Sequence, residues 1–111
     1  MTIPRLSPDE ITALAAALPA WTVLPDRLRR QWRFRNFSEA FGFMTRVALA
    51  SETINHHPTW SNVWNVVTIE LTTDDCGGLS ALDPALARLI DALSPPSAGG
   101  PSAPAPDPEG S

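Results

Sequence analysis

His56 and His57 are the only histidines in a chain of 111 residues, they stand side by side, and Pro58 follows at once. An imidazole with its ordinary pKa of about 6.5 can both give and take a proton at neutral pH, so two rings at a rigid corner read as a general acid/base site. Pro58 confines His57 to an extended backbone, which is expected to stop the preceding helix and to fix the direction in which the rings leave it. Trp60 and Trp64 follow within seven residues, and a loop carrying Asp74, Asp75 and Cys76 comes next. Other chemistries fit this stretch less well. His56, His57 and Cys76 with Asp74 or Asp75 offer metal-ligand atoms, but the spacing matches no zinc signature and adjacent histidines on extended backbone point apart. A Cys76 nucleophile would have two acids just before it, a field that opposes a thiolate. In the purely structural alternative, one or both rings cap the helix or bond within the core.

The elements that must position these rings are readable from caps and periodicity. Ser7-Pro8-Asp9-Glu10 holds both halves of a capping box, and Ile11, Leu14, Ala15 and Leu18 recur at helical spacing, so a helix is predicted over 8–18. Residues 21–24 and 28–35 flank the turn chemistry of Pro25-Asp26 and predict a hairpin. In its second strand Leu28, Arg30, Trp32 and Phe34 alternate with Arg29, Gln31, Arg33 and Arg35, and Arg29, Arg33 and Arg35 read as its solvated face. Asn36 and Glu39 cap a second helix, predicted to end near residue 53, with a stripe of Phe37, Ala40, Phe41, Met44, Val47, Ala48 and Ile54. Phe43 and Leu49 fall off that stripe and are expected outside it, either singly exposed or at a subunit contact. Residues 63–71 alternate as one strand, with Trp64 and Val66 on a face apolar enough to suggest cover by a partner. A turn or short strand is expected around Leu79. Asp83-Pro84 reads as N-cap and first residue of a last helix with a buried stripe of Leu86, Leu89, Ile90 and Leu93. Antiparallel strands with helices packed on one face make a two-layer α+β domain.

Composition narrows the class. Net charge is −4, which argues against nucleic acid as a direct partner. One cysteine excludes an internal disulfide and fits a reducing compartment. No run approaches the roughly 18 apolar residues of a membrane span, and the first residues lack a leader pattern, so a soluble cytoplasmic protein is expected. Residues 94–111 are almost entirely Pro, Gly, Ser and Ala and predict a disordered tail after a single domain of residues 1–93.

Three segments, FGFMTRVAL at 41–49, NHHPTWSNVWNVVTIELTT at 55–73 and CGGLS at 76–80, closely resemble the pterin-4a-carbinolamine dehydratases. The likeness covers about residues 7–93 and rests on Glu52, His56-His57-Pro58, Trp64 and Asp83. It implies a four-stranded antiparallel sheet with three helices on one face, assembled as a homodimer or homotetramer. It also implies the loss of water from 4a-hydroxytetrahydrobiopterin to give quinonoid dihydropterin, with no metal or organic cofactor. Carried over, His56 is an acid/base residue and His57 one that binds and orients the pterin, with Trp60, Trp64 and Asp75 as walls. Asp74 stands where the family's third histidine stands, as base or orienting partner, and implies altered or reduced activity. Relatives with this fold also serve as protein-binding modules, among them a dimerisation cofactor for a homeodomain transcription factor and a Rubisco assembly factor. A protein client is therefore the alternative reading.

Overall fold

The computed structural model describes residues 3–96, so the expected tail lies outside the described residues from residue 97 onward. Helix α1 spans Pro8–Ala17, and its capping box closes as expected: Glu10 N–H donates to Ser7 Oγ and Ser7 N–H donates to the Glu10 carboxylate. Strands β1 (Thr22–Val23) and β2 (Leu28–Arg33) form the first hairpin, and α2 (Phe37–Thr53) follows behind the Asn36 cap. Strands β3 (Thr59–Val63) and β4 (Val66–Leu71), a 3-10 turn at Asp74–Cys76 and helix α3 (Leu82–Leu93) complete the order. The sheet runs β1-β2-β4-β3 and every pairing is antiparallel. One core joins Leu28, Trp32, Val67, Ile69 and Leu71 of its inner face to Leu14, Phe43, Val47, Leu86 and Ile90 of the three helices. This is the expected two-layer α+β architecture.

Three expectations change. The single strand over 63–71 is a hairpin: Val63 pairs with Val66, and Trp64-Asn65 form its two-residue turn. Trp64 takes φ 49, a left-handed value rare for a bulky side chain, and so carries none of the glycine or Asn-Gly signal by which such turns are found. Asn62 Nδ2 donates to the carbonyls of Trp64 and Val66, and Asn65 Nδ2 donates to Phe34 O at 2.7 Å, which clamps the turn. Trp64 therefore does not share a strand face with Val66, and Val66 is already buried within the chain.

The stripe of α2 is rotated from the expected one. Ala40 and Val47 are buried and Met44 and Ile54 pack against the core as expected, but Phe43 and Ser51 are buried too, whereas Phe37 and Phe41 are exposed; Leu49, expected off the stripe, is exposed. Both phases satisfy a 3.6-residue period. The choice is made by the aromatic inner face of β2, where Phe43 lies 5.0 Å from the rings of both Trp32 and Phe34, while Phe37 and Phe41 pair with each other outside. On α3, Leu89 is likewise exposed, and Ala87 takes the place expected for it beside Leu86 and Ile90.

Helix α3 is pinned to the sheet by polar contacts as well. Asp91 accepts from Arg30 Nη1 at 2.6 Å and from Trp21 Nε1 at 2.8 Å, and Ser94 Oγ accepts from Trp32 Nε1. Arg30, read as a member of the inner row, is indeed buried, stacked 4.7 Å over Trp32.

The phase of α2 can be checked directly. Phe43→Ala is expected to lose about 3–5 kcal/mol in urea unfolding because it opens a cavity in a closed core. Phe41→Ala is expected to cost well under about 1 kcal/mol, as for an exposed side chain. Equal losses would place the buried face elsewhere.

Candidate active site

The corner that carries the histidines is built by a helix C-terminus. After Thr53, Ile54 caps the helix and Asn55 turns left-handed with φ 49. Asn55 N–H donates to Glu52 O at 3.3 Å and His56 N–H donates to Ser51 O at 3.1 Å, the paired bonds of a Schellman motif. Asn tolerates this conformation better than most residues, since its short polar side chain bonds locally. The helix is thus stopped by Asn55, three residues before Pro58; Pro58 acts afterwards, at the entry to β3.

The two rings leave this corner in different directions. His56 is 9% exposed, and its Nε2 lies 2.6 Å from Oδ1 of Asp83, which has no exposed surface. His57 points outward, with its Nε2 at 2.5 Å from Oε2 of Glu52, and both partners are exposed. A carboxylate in its ionised form only accepts, and with Asp83 in that form the contact is a donation from His56 Nε2–H, which leaves Nδ1 as the unprotonated nitrogen of a neutral ring.

Asp83 is held from three sides. Besides His56, it accepts at Oδ2 from Thr73 Oγ1 at 2.8 Å and from Ser80 N–H at 2.9 Å. The proton inventory then fixes the next bonds. Thr73 spends its hydroxyl proton on Asp83, so at the 2.7 Å contact Ser80 Oγ donates to Thr73, and Ser80 Oγ itself accepts from Leu82 N–H. A directed chain runs from Leu82 through Ser80 and Thr73 to Asp83, with every polar atom along it satisfied. Asp83 therefore does not serve as the N-cap of α3: the helix begins at Leu82, and the carboxylate turns into the core instead. Thr73, Ser80 and Asp83 form the support that sequence reasoning left out of the site. The acid at 83 was visible, but its proximity to a capping pattern hid its partner 27 positions away.

The other expected site residues are placed less closely together. Asp74 opens the 3-10 turn directly after Thr73 and is exposed, as is Asp75. No hydrogen bond or ion pair joins either acid to a histidine among the described residues. The turn closes on Gly77, whose left-handed φ of 68 favours glycine, and Gly78 packs under Arg5, where an added Cβ would meet Nε at 2.8 Å. Trp60 lies on β3, partly buried against the core. Trp64 sits at the far turn of the β3–β4 hairpin, about 20 Å from His57 at the usual rise of a strand. Within one chain the structure does not bring Trp64 to the histidines.

A family model described as pterin 4 alpha carbinolamine dehydratase matches residues 4–93. A protein of Prochlorococcus marinus strain MIT 9303 that carries a pterin-4-alpha-carbinolamine dehydratase name is 59% identical over 95 residues, covering 86% of this chain and 99% of its own. One of Mesorhizobium japonicum with the same name is 54% identical over 93 residues, covering 82% of this chain and 95% of its own. Among solved structures, a transcriptional coactivator/pterin dehydratase from Brucella melitensis superposes with a TM-score of 0.78 at 35% identity. That match covers 83% of this chain and all of the Brucella chain.

The two histidine–acid pairs differ in burial, and stability separates them. Asp83→Ala strands His56 and two further donors in the interior and is expected to cost about 3 kcal/mol or more in urea unfolding. Glu52→Ala removes an exposed pair and is expected to change stability by less than about 1 kcal/mol. Similar losses for both would contradict a buried junction at Asp83.

Proposed function

Because the chain belongs to the pterin 4 alpha carbinolamine dehydratase family, we propose that it removes water from pterin-4a-carbinolamine, with His56 as the acid/base residue. The reaction takes the hydroxyl from C4a and the proton from N5, releases them as one water and leaves a C4a–N5 double bond. A proton must reach the departing hydroxyl and another must leave N5. One imidazole that alternates between its neutral and charged forms can serve both needs in turn.

The observation that carries this reading is the bond between His56 Nε2 and the buried Asp83 carboxylate. It fixes the ring and its tautomer, keeps Nδ1 for proton exchange, and offers a fixed negative partner when the ring is charged, as the acid does in a Ser-His-Asp triad. His57 is exposed and steadied by Glu52, which suits a residue that binds and orients substrate. An ionised Asp74 accepts protons but has none to give, so in this proposal it assists at N5 or orients a histidine and does not protonate the hydroxyl. Asp75 and Trp60 serve as walls. The pterin site is taken to need no metal or organic cofactor.

Phe37, Phe41, Leu49 and Val63 are 48–65% exposed, which supports a homodimer or homotetramer that covers them. Trp64, remote from the histidines of its own chain, would then line a site only across such an interface. Sedimentation equilibrium is expected to return a multiple of 12.0 kDa, and a monomer at assay concentration would contradict this part.

His56→Ala is expected to lower kcat for carbinolamine dehydration about 100-fold or to the spontaneous rate, while His57→Ala chiefly raises KM. Asp74→His is expected to raise kcat. Stopped-flow absorbance of the dehydration step reads all three. If His56→Ala retained the wild-type kcat in a folded protein, the assignment would fail.

A further inference from the structure

A concavity lies along the half of α2 away from the histidine corner. It is a cleft of about 630 Å³ between the end of β2 and the first turns of the helix, lined by Arg33, Arg35, Glu39 and Arg46 among others. From Gly42 in this cleft to Thr53 at the histidine corner is about 16 Å along the helix axis, so the two sites are separate.

Its charge is unusual for this chain. The protein has 12 acids against eight basic residues, yet three arginines here face one carboxylate. Glu39 is already engaged, bonding Arg35 Nη2 at 2.7 Å and accepting from Arg35 N–H. Arg33 and Arg46 have no ion-pair partner among the described residues, whereas Arg27 and Arg30 are paired with Glu70 and Asp91. Among the described residues the local balance is two unpaired positive charges.

The lining also controls where those charges sit. Ser38, Gly42 and Arg46 recur every four residues and share one face of α2. A Cβ added to Gly42 would lie 3.4 Å from Arg46 Nη1, so the Arg46 side chain folds back along the helix over the bare Cα. Arg33 approaches from the opposite wall, as the last residue of β2. Phe34, Gly42 and Pro95 leave part of the lining apolar.

We propose that this cleft binds a small phosphomonoester, with Arg33 and Arg46 gripping the phosphoryl group and the apolar lining receiving its carbon body. A phosphomonoester carries a charge near −2 at neutral pH, matching the two unpaired guanidiniums, and its oxygens fit the guanidinium fork. The cleft has the volume usual for small-molecule sites.

The test is an NMR titration of the full chain with phenyl phosphate at low salt, with phenol and inorganic phosphate as comparisons. Saturable shifts centred on Ser38, Gly42 and Arg46 are expected. Arg33→Ala/Arg46→Ala should weaken binding at least about tenfold while the histidine site keeps its activity, since neither residue belongs to it. Phenol should not bind, and inorganic phosphate should bind more weakly than phenyl phosphate. Shifts that fail to saturate, that persist in the double variant, or that centre on His57 would overturn the proposal. So would equal affinity for inorganic phosphate, which would remove the carbon body from the site.

Discussion

The buried carboxylate of Asp83 is the group around which the rest of the structure is arranged. An unpaired charge in the interior costs several kcal/mol, so its three donors must be delivered together and held. Each arrives on a different constraint. Thr73 is bridged to Gly78 across the 3-10 turn, Ser80 is bridged to Arg5 of the N-terminal segment, and His56 is set by the Schellman motif at the end of α2. One ion thus ties together the end of β4, the start of α3 and the corner between α2 and β3. The glycines of the turn belong to the same constraint: Gly77 permits its left-handed closure, and Gly78 lets Arg5 lie against the backbone that carries Ser80.

This arrangement divides the work of two adjacent residues. His56 and His57 share a residue type and a corner, yet one is fixed against a buried acid and the other is solvated beside an exposed one. The difference comes from backbone geometry. A left-handed Asn55 sends the next residue back towards the helix it has just left, and Pro58 then extends the chain, so successive side chains face inward and outward. In the proposed reaction the proton carrier needs a fixed ring, while a residue that meets the substrate needs exposure. The corner places one buried and one exposed imidazole within two positions.

What was legible in the sequence follows the range of the interaction involved. The α1 capping box, the Asn36 cap, the first hairpin and the inner row of β2 all depend on neighbours within four residues or on simple alternation, and they stand as read. The phase of α2 was not legible, because Phe37, Phe41 and Phe43 permit two stripes and only contact with Trp32 and Phe34 selects one. The β3–β4 turn was hidden because Trp64-Asn65 lacks turn residues and owes its shape to clamps from Asn62 and Asn65. The histidine pair was visible as chemistry, but its support was not. Asp83, Thr73 and Ser80 look locally like capping and turn residues, and their shared role appears only when 27 residues of chain bring Asp83 back to His56.

The central claim is that Asp83 holds His56 as the Nε2–H tautomer, with Nδ1 left for proton exchange. Long-range nitrogen-15 correlation spectra of the neutral imidazole test it most directly. The account predicts a protonated Nε2 and an unprotonated Nδ1 for His56 in the wild type, with that preference lost in Asp83→Ala. A wild-type His56 carrying its proton on Nδ1, or showing the same tautomer after Asp83 is removed, would contradict it.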